Sequence, residues 1–275
     1  MTSASNSVNT VEPAHGADLA LALLLADAAD AVTVPKFRSL DLHVETKPDL
    51  TPVTEADQAT ERTIRALLAE HRPADTVVGE EYGGTLTGGR QWIIDPIDST
   101  RNYVRGVPVW GTLIALVEDG HVVVGVVSAP LLARRWWASR GNGAWLQALS
   151  DAPTRLQASG LRALADSSMS FSDAQGWGQY RPGLDRLLEA TLRQRALGDF
   201  WSHCLVAEGA VDIAAEPELS MWDVAALIPI IEESGGRITA LDGSPALTGG
   251  SAVTTNGLLH DEVLSMLAPS NEIRH

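Results

Sequence analysis

The sequence is poor in cysteine and in basic residues, and it has no long apolar run. Its one cysteine, Cys204, excludes an intramolecular disulfide and is expected to be buried and inert. With 35 acidic residues against 20 lysines and arginines, the net charge of −15 argues against nucleic-acid binding, which needs a basic face. The apolar run Leu19 to Ala26 is too short to span a bilayer, and no basic residue precedes it, so we expect neither a membrane segment nor a secretory signal. These absences predict a soluble cytoplasmic protein.

Two common catalytic motifs are missing as well. The seven histidines show no HExxH spacing, which argues against a histidine zinc site. The chain contains no G-x-S-x-G segment, which argues against a serine hydrolase. The chemistry must therefore come from other residues.

Apolar patterning divides the chain into two parts. Residues 1–16 are polar and predicted to be disordered, and helical patterns cover 17–33 and 54–71. Strands are predicted near 76–79 and 91–95, then two hairpins at 111–118/121–129 and 135–138/144–146, the first turned by Asp-Gly. A boundary is predicted near 150–155, giving sub-domains 17–152 and 153–268 and a tail at 269–275. In the second part, strands near 167–171, 193–197, 211–214, 236–240 and 252–255 alternate with helices at 181–192, 200–210, 222–234 and 259–267, which is typical of an α/β unit.

The segment from residue 92 to residue 102 carries the most chemical information. A short β-rich run delivers Asp95 and Asp98, and Pro96 between them biases Asp95 toward an extended conformation. Ser99 and Thr100 follow as candidate helix caps. Carboxylates bind hard cations, and backbone N–H groups at a helix start bind phosphate. The segment therefore indicates metal-dependent phosphate chemistry.

Three further acids stand where they could join Asp95 and Asp98. Glu80 follows an apolar strand, Asp223 opens an Ala-rich segment and Asp57 lies at the start of a helical pattern. Mg²⁺ prefers oxygen ligands in octahedral geometry, so such a set suits two or three Mg²⁺ ions. Simpler roles stay open, because Asp-Pro is a common turn opener, Asp223 could cap a helix, and Asp57 and Glu80 could be surface acids.

Several of these motifs, in this order, resemble the inositol monophosphatase family. That family has an Asp-Pro-Ile-Asp-Gly-Thr block followed by Asn, and a Trp-Asp-x-Ala block followed by Gly-Gly. Here the blocks are residues 95–102, and 222–226 with 234–236 beyond, and the Glu-Glu pair at 80–81 lies upstream. The resemblance runs from about residue 18 to residue 267. It implies a layered αβαβα sandwich of the fructose-bisphosphatase type (α+β or α/β), with the metal site between two sub-domains, and a homodimer.

The resemblance also implies roles for individual residues. One Mg²⁺ would be held by Glu80, Asp95 and the carbonyl of Ile97, a second by Asp95, Asp98 and Asp223, and a third, weaker ion beside Glu80 and Asp57. Asp57 and Thr100 would orient the attacking water, and the N–H groups of Ser99 and Thr100 would bind the phosphate. Lys47 matches a basic residue in a loop over the family's site, although it could equally be solvated surface. The family usually has glycine at position 99, so serine is costly there if the position needs a positive φ and tolerated if it only caps a helix.

The substrate is expected to be a small phosphorylated metabolite. Residues 102–110, 134–138 and 198–200 resemble the histidinol-phosphatase branch, so L-histidinol phosphate, an intermediate of histidine biosynthesis, is the expected substrate. By the family pattern Asp199 and Glu216 would face the leaving group. Inositol-specific relatives also have an acid at the Glu216 position, so only Asp199 would distinguish a cationic leaving group, and Asp199 could instead, or in addition, cap the helix that follows. The alternatives are an inositol-1-phosphatase or another sugar or nucleotide phosphatase, and, from a different class, a non-catalytic metal- or phosphate-binding regulator.

Overall fold

A computed structural model describes residues 15–47, 52–149 and 151–269. Residues 1–14 of the predicted disordered N-terminus and residues 270–275 of the predicted tail lie outside the described residues. No described helix has the length and the apolar content needed to cross a membrane.

Two helices open the described chain, α1 (Gly16–Lys36) and α2 (Glu55–His71), with the short strands β1 (Val44–Thr46) and β2 (Pro52–Thr54) between them. The sequence fixes the start of α2 through a capping box. The Thr54 hydroxyl accepts from the N–H of Ala56 at 3.1 Å and from that of Asp57 at 3.4 Å, and Asp57 accepts the Thr54 N–H at 2.8 Å. Because this box satisfies N–H groups that a helix leaves open, α2 begins where the sequence predicts.

The first sheet contains seven strands whose order in space follows the chain. They are β3 (Thr76–Gly79), β4 (Arg90–Asp98), β5 (Gly111–Glu118), β6 (His121–Ala129), β7 (Arg134–Ser139), β8 (Ala144–Ala148) and β9 (Thr154–Arg155). Strands β3 and β4 are parallel and all other neighbours are antiparallel. Both predicted hairpins are confirmed. A short helix, α3 (Thr100–Arg105), follows β4.

The second sheet has five strands in the order β11-β10-β12-β14-β13. They are β10 (Ser168–Ser170), β11 (Arg193–Arg195), β12 (Ile213–Glu216), β13 (Arg237–Thr239) and β14 (Ala252–Thr255). Strand β10 runs parallel to both β11 and β12, whereas β14 is antiparallel to β12 and β13. The accompanying helices are α4 (Arg181–Ala190), α5 (Asp199–Ala207), α6 (Met221–Val224), α7 (Leu227–Glu233) and α8 (His260–Leu267).

The single helix predicted over 222–234 is wrong, because the chain forms α6 and α7 with a break at Ala225 and Ala226. The physical reason is Pro229. Its ring lacks an N–H and collides with the carbonyl four residues earlier, which belongs to Ala225. The break lets α6 point Asp223 toward the end of β4 while α7 packs on the sheet.

Three apolar clusters between the elements confirm the αβαβα layering. Helices α1 and α2 cover one face of the first sheet, helices α5 and α7 lie between the two sheets, and helices α4 and α8 cover the outer face of the second sheet. Strand alternation divides β4 accordingly, since Trp92 and Ile94 face α1 and α2 whereas Ile93 faces the opposite layer. Cys204 is buried in the middle layer, as predicted.

Because β9 still pairs with the first sheet, we propose that any sub-domain boundary follows Arg155; the predicted sub-domain bounds remain a prediction.

The contact between β6 and α7 tests the layering. A Cβ on Gly125 would lie 2.2 Å from the Ala226 carbonyl oxygen and 2.8 Å from the Pro229 ring. We therefore expect Gly125→Ala to lower the free energy of unfolding by about 1–3 kcal/mol, measured by urea denaturation. The control is Gly160→Ala, whose Cβ would meet no described atom within 4 Å and should be neutral or stabilise by about 0.4–1 kcal/mol. Equal effects of the two variants would contradict the packing.

Candidate metal centre

Three aspartates from two distant segments converge at the end of β4. Asp95, Asp98 and Asp223 each offer one carboxylate oxygen, and these atoms all lie within 4.8 Å of one another. The pairing of β4 with β5 shifts register between Asp95 and Asp98, around Pro96, and such an irregularity re-aims side chains. Asp223 is the third residue of α6, where its carboxylate accepts the Ser220 N–H at 2.7 Å. The alternative that Asp223 is the cap residue itself is wrong, since Ser220 holds that position.

The burial of these acids fits a cation and not a solvated turn. Asp95 is 1% exposed, and its Oδ1 finds no hydrogen-bond partner in the described part of the chain. Burial, together with the charges of Glu80 and Asp98, raises the pKa of Asp95 well above its usual value. Burial likewise raises the pKa of Asp223 to about 6. Buried carboxylates without partners are costly, and an all-oxygen set of this kind is what Mg²⁺ prefers.

Glu80 is brought to the same place by the parallel pairing of β3 and β4. Its N–H donates to the carbonyl of Ile94 at 3.2 Å, which sets it beside Asp95. The ammonium group of Lys47 donates to Glu80 at 2.7 Å and to Glu81 at 2.6 Å. Lys47 is therefore not solvated surface. Burial raises the pKa of Glu81 to about 7, so Glu81 is no ordinary surface acid either.

The side chains of Asp57 and Thr100 contact each other, and the charge of Asp57 also acts on Asp95. Asp57 uses its Oδ2 for the capping box of α2, while its Oδ1 accepts the Thr100 hydroxyl at 3.3 Å. The same hydroxyl lies 2.9 Å from the carbonyl oxygen of Ile97, and its single proton can go to only one of these two acceptors at a time. Burial raises the pKa of Asp57 to about 6. The pair predicted to orient a water molecule, and the carbonyl predicted to bind metal, are thus in mutual contact.

Ser99 has a left-handed backbone, with φ 66° and ψ 45°. It occupies the cap position of α3, but its hydroxyl makes no cap hydrogen bond and donates instead to the carboxylate of Asp199. The position therefore needs the positive φ that glycine adopts most easily, at a cost of about 1–2 kcal/mol for serine. A hydrogen bond to a carboxylate contributes about 1.5–3 kcal/mol, enough to offset that strain.

Asp199 and Glu216 belong to one polar chain linked by Ser172. The Asp199 N–H donates to the Ser172 hydroxyl at 2.7 Å, and that hydroxyl donates to Glu216 at 2.6 Å. Gly198 holds the cap position of α5, and Asp199, the first residue of the helix, has a left-handed backbone with φ 51°. Burial raises the pKa of Glu216 to about 8. Ser172 was missed by the sequence analysis, and its one sequence signal is its position just after a strand.

The start of α5 also contacts the metal candidates directly. The Phe200 N–H donates to Asp98 Oδ2 at 3.2 Å. Two adjoining cavities open here, one of about 500 Å³ over Glu80 and Thr100 and one of about 520 Å³ over Glu216, and both are lined by Asp199 and Asp223. The acids therefore lie at the floor of a cleft large enough for a small phosphorylated molecule.

Comparisons with known proteins show what the chain is similar to. The model of the inositol monophosphatase family matches residues 17–271. The chain is 58% identical over 255 residues to the histidinol-phosphatase of Mycobacterium tuberculosis, covering 91% of this chain and 97% of the other, and 53% identical over 257 residues to that of Streptomyces coelicolor, covering 91% and 96%. A solved structure of a Thermotoga maritima IMPase superposes with a TM-score of 0.81 at 30% identity and covers 91% of this chain and 96% of that one.

The raised pKa of Glu216 predicts how the metal-free protein responds to pH. The folded pKa of about 8 exceeds the unfolded value of about 4.3, so the folded state binds more protons and the free energy of unfolding falls as pH rises toward 8. Burial lowers the pKa of His203 and His260 to about 4, and this opposes the effect only below about pH 6.5.

We therefore expect the free energy of unfolding, measured with urea and a chelator, to fall between about pH 6.5 and pH 8. Glu216→Gln should reduce that fall, because the amide does not titrate. The same decline in wild type and variant would contradict the assignment.

Proposed function

The chain belongs to the inositol monophosphatase family and is a phosphoric monoester hydrolase, and from this premise we propose that it hydrolyses L-histidinol phosphate with Mg²⁺ as cofactor. The observation that carries the proposal is the convergence of Asp95, Asp98 and Asp223 beside Glu80, with a second group of acids on the leaving-group side. Because the chain is a phosphoric monoester hydrolase, a non-catalytic regulator is no longer an alternative.

The metal ligands of the proposal are Glu80, Asp95, the Ile97 carbonyl, Asp98 and Asp223. Two or three Mg²⁺ ions bound by this set would neutralise the phosphate, offset the repulsion between carboxylates and make a water molecule more acidic. The proposal is supported by the buried Asp95 Oδ1, which has no other partner among the described side chains and backbone groups. The charges of Glu80 and of Asp98 both act on Asp95, so Asp95 is the acid proposed to serve two ions, one with Glu80 and one with Asp98 and Asp223.

Asp57 and Thr100 are proposed to position the attacking water. Asp57 is held rigidly by its two contacts with Thr54, and its remaining oxygen faces the Thr100 hydroxyl. A water molecule between them would be oriented by a hydroxyl and a carboxylate, with Asp57 as the proton acceptor. The pKa of about 6 leaves Asp57 mostly ionised near neutral pH, which that role requires. Glu80 is the further acid proposed to take part in activating the water.

Ser99 and Thr100 are proposed to bind the phosphate. They lie at the start of α3, where the backbone N–H groups have no acceptor within the helix. N–H groups aimed at the phosphoryl oxygens would stabilise the negative charge that builds up during transfer. The left-handed backbone of Ser99 supports this role, because it turns the chain sharply between Asp98 and the helix.

Asp199 and Glu216 are proposed to recognise the leaving group. Histidinol carries an ammonium group and an imidazole, and both acids line the cavity next to the metal ligands. With a pKa of about 8, Glu216 is largely protonated near neutral pH, and a cation beside it would favour the carboxylate form. A neutral sugar alcohol would offer these acids hydroxyl donors but no positive charge. Because inositol-specific members of the family also have an acid at the position of Glu216, Asp199 is the acid that distinguishes the two kinds of substrate. This contrast favours histidinol phosphate over inositol 1-phosphate or a sugar or nucleotide phosphate, which remain the alternatives.

Three wider parts of the proposal concern the setting of the enzyme: a place in histidine biosynthesis, a cytoplasmic location and a homodimer. The first is supported by the names of the relatives. Size-exclusion chromatography with light scattering tests the third.

Asp95→Asn, compared with wild type, tests the metal site. Loss of a shared carboxylate should lower Mg²⁺-dependent phosphate release from histidinol phosphate by at least about 100-fold. The matched control is Asp185→Asn, an exposed acid paired with Arg181 on α4, which should keep full activity. Inositol 1-phosphate, fructose 1,6-bisphosphate and 3′-phosphoadenosine phosphate complete the panel. The substrate assignment fails if wild type prefers any of these, and the metal assignment fails if Asp95→Asn stays active.

Asp199→Asn tests the proposed recognition of the leaving group. Loss of one charge-assisted hydrogen bond, worth about 1.5–3 kcal/mol, should raise KM for histidinol phosphate about 10- to 100-fold with little change in kcat. KM for inositol 1-phosphate should barely change, because its alcohol is neutral. Equal losses on both substrates would show that Asp199 acts through Ser99 and the phosphate site, and would remove it from leaving-group recognition.

A further inference from the structure

Glu61 is a fully buried acid on α2 that has no part in the proposed chemistry. It is 0% exposed and lies one helical turn after Asp57, on the same face of the helix. Its Oε2 accepts the N–H of Glu81 at 2.8 Å, and its Oε1 accepts the N–H of Tyr82 at 3.3 Å. The buried carboxylate of Glu61 therefore holds the backbone of the turn that carries Glu80 and Glu81.

Gly79 shows how closely this carboxylate fits the turn. A Cβ on Gly79 would lie 2.0 Å from Glu61 Oε1 and 2.3 Å from its carboxyl carbon. The φ of Gly79 is not positive, so the backbone conformation does not require glycine. Glycine is needed here because a Cβ would have no space. The Glu61 carboxylate therefore occupies the place of a side chain immediately before Glu80.

Arg65 completes the arrangement from the same helix. Its guanidinium donates to Glu61 Oε1 at 2.7 Å and to the carbonyl of Gly83 at 2.8 Å. The ion pair offsets part of the cost of burying Glu61, and the second bond ties down the far end of the turn. Residues 79–83 are thus anchored to α2 at three backbone groups, two N–H groups and one carbonyl.

We propose that Glu61 is a positioning residue that fixes the backbone of residues 80 and 81 so that the Glu80 carboxylate faces Asp95. The inference rests on the proposed role of Glu80 as a metal ligand. Lys47 pairs with the Glu80 and Glu81 side chains, whereas Glu61 and Arg65 hold the backbone beneath them. Asp57 and Glu61 therefore serve the site from successive turns of α2, the first toward the water and the second toward the metal ligands.

The test is Glu61→Gln, which keeps the shape of the side chain. An amide can accept one N–H, but its NH₂ group then faces the other, so one anchor of the turn is lost. Titration calorimetry on the protein without substrate should show a Kd for Mg²⁺ raised about 10-fold, the effect typical of losing a group that orients a ligand. The half-saturating Mg²⁺ concentration for activity should rise in parallel, with KM for substrate at saturating Mg²⁺ unchanged.

The control for a purely structural role is Ile64→Val, a buried residue of the same helix that belongs to the apolar cluster between α1, α2 and the first sheet. It should lower Tm but leave the Mg²⁺ Kd as in wild type. If Glu61→Gln does not fold, Glu61→Asp shortens the side chain and is measured in the same way. Equal Mg²⁺ affinity in wild type and the Glu61 variant would overturn the inference alone. A wild-type protein that binds no Mg²⁺ would contradict the metal site itself and the inference with it.

Discussion

The structure depends on one electrostatic constraint, the gathering of several buried and half-buried carboxylates at one end of β4. Asp95, Asp98 and Asp223 lie within 4.8 Å of one another, and Glu80 and Asp57 raise the pKa of Asp95 further. Like charges at this separation are mutually repulsive, and burial removes the water that would screen them. The fold must therefore hold the acids in place without a cation and leave them free to bind one.

Local backbone devices provide that restraint. Capping boxes fix Asp57 and Asp223 at the starts of their helices, and the register shift beside Pro96 aims Asp95 and Asp98 at one point. The strained backbone of Ser99 is offset by its hydrogen bond to Asp199 at the start of α5. Asp57 and Asp223 each use one carboxylate oxygen for the capping box and leave the other for the site.

Much of this arrangement could be predicted from sequence because it is local. The Asp-Pro-Ile-Asp block, the Asp-Gly hairpin and the Thr54 capping box each act over a few residues. The contact of Ser99 with Asp199 joins residues 100 positions apart, and no local rule predicts it. Pro229 signals a break between α6 and α7, but the apolar pattern of residues 222–234 indicates one continuous helix, and the prediction followed that pattern. Glu61 resembles any surface glutamate of a helix until the turn at 79–83 is placed against it.

The most direct test of the account is where a divalent metal binds. Mn²⁺ accepts the same oxygen ligands as Mg²⁺ and scatters X-rays anomalously, so crystals grown with Mn²⁺ and phosphate locate the metal without reference to activity. The account predicts anomalous peaks within ligand distance of Asp95, one on the side of Glu80 and one between Asp98 and Asp223, with phosphate beside Thr100. Bound Mn²⁺ with no peak at Asp95 would contradict it.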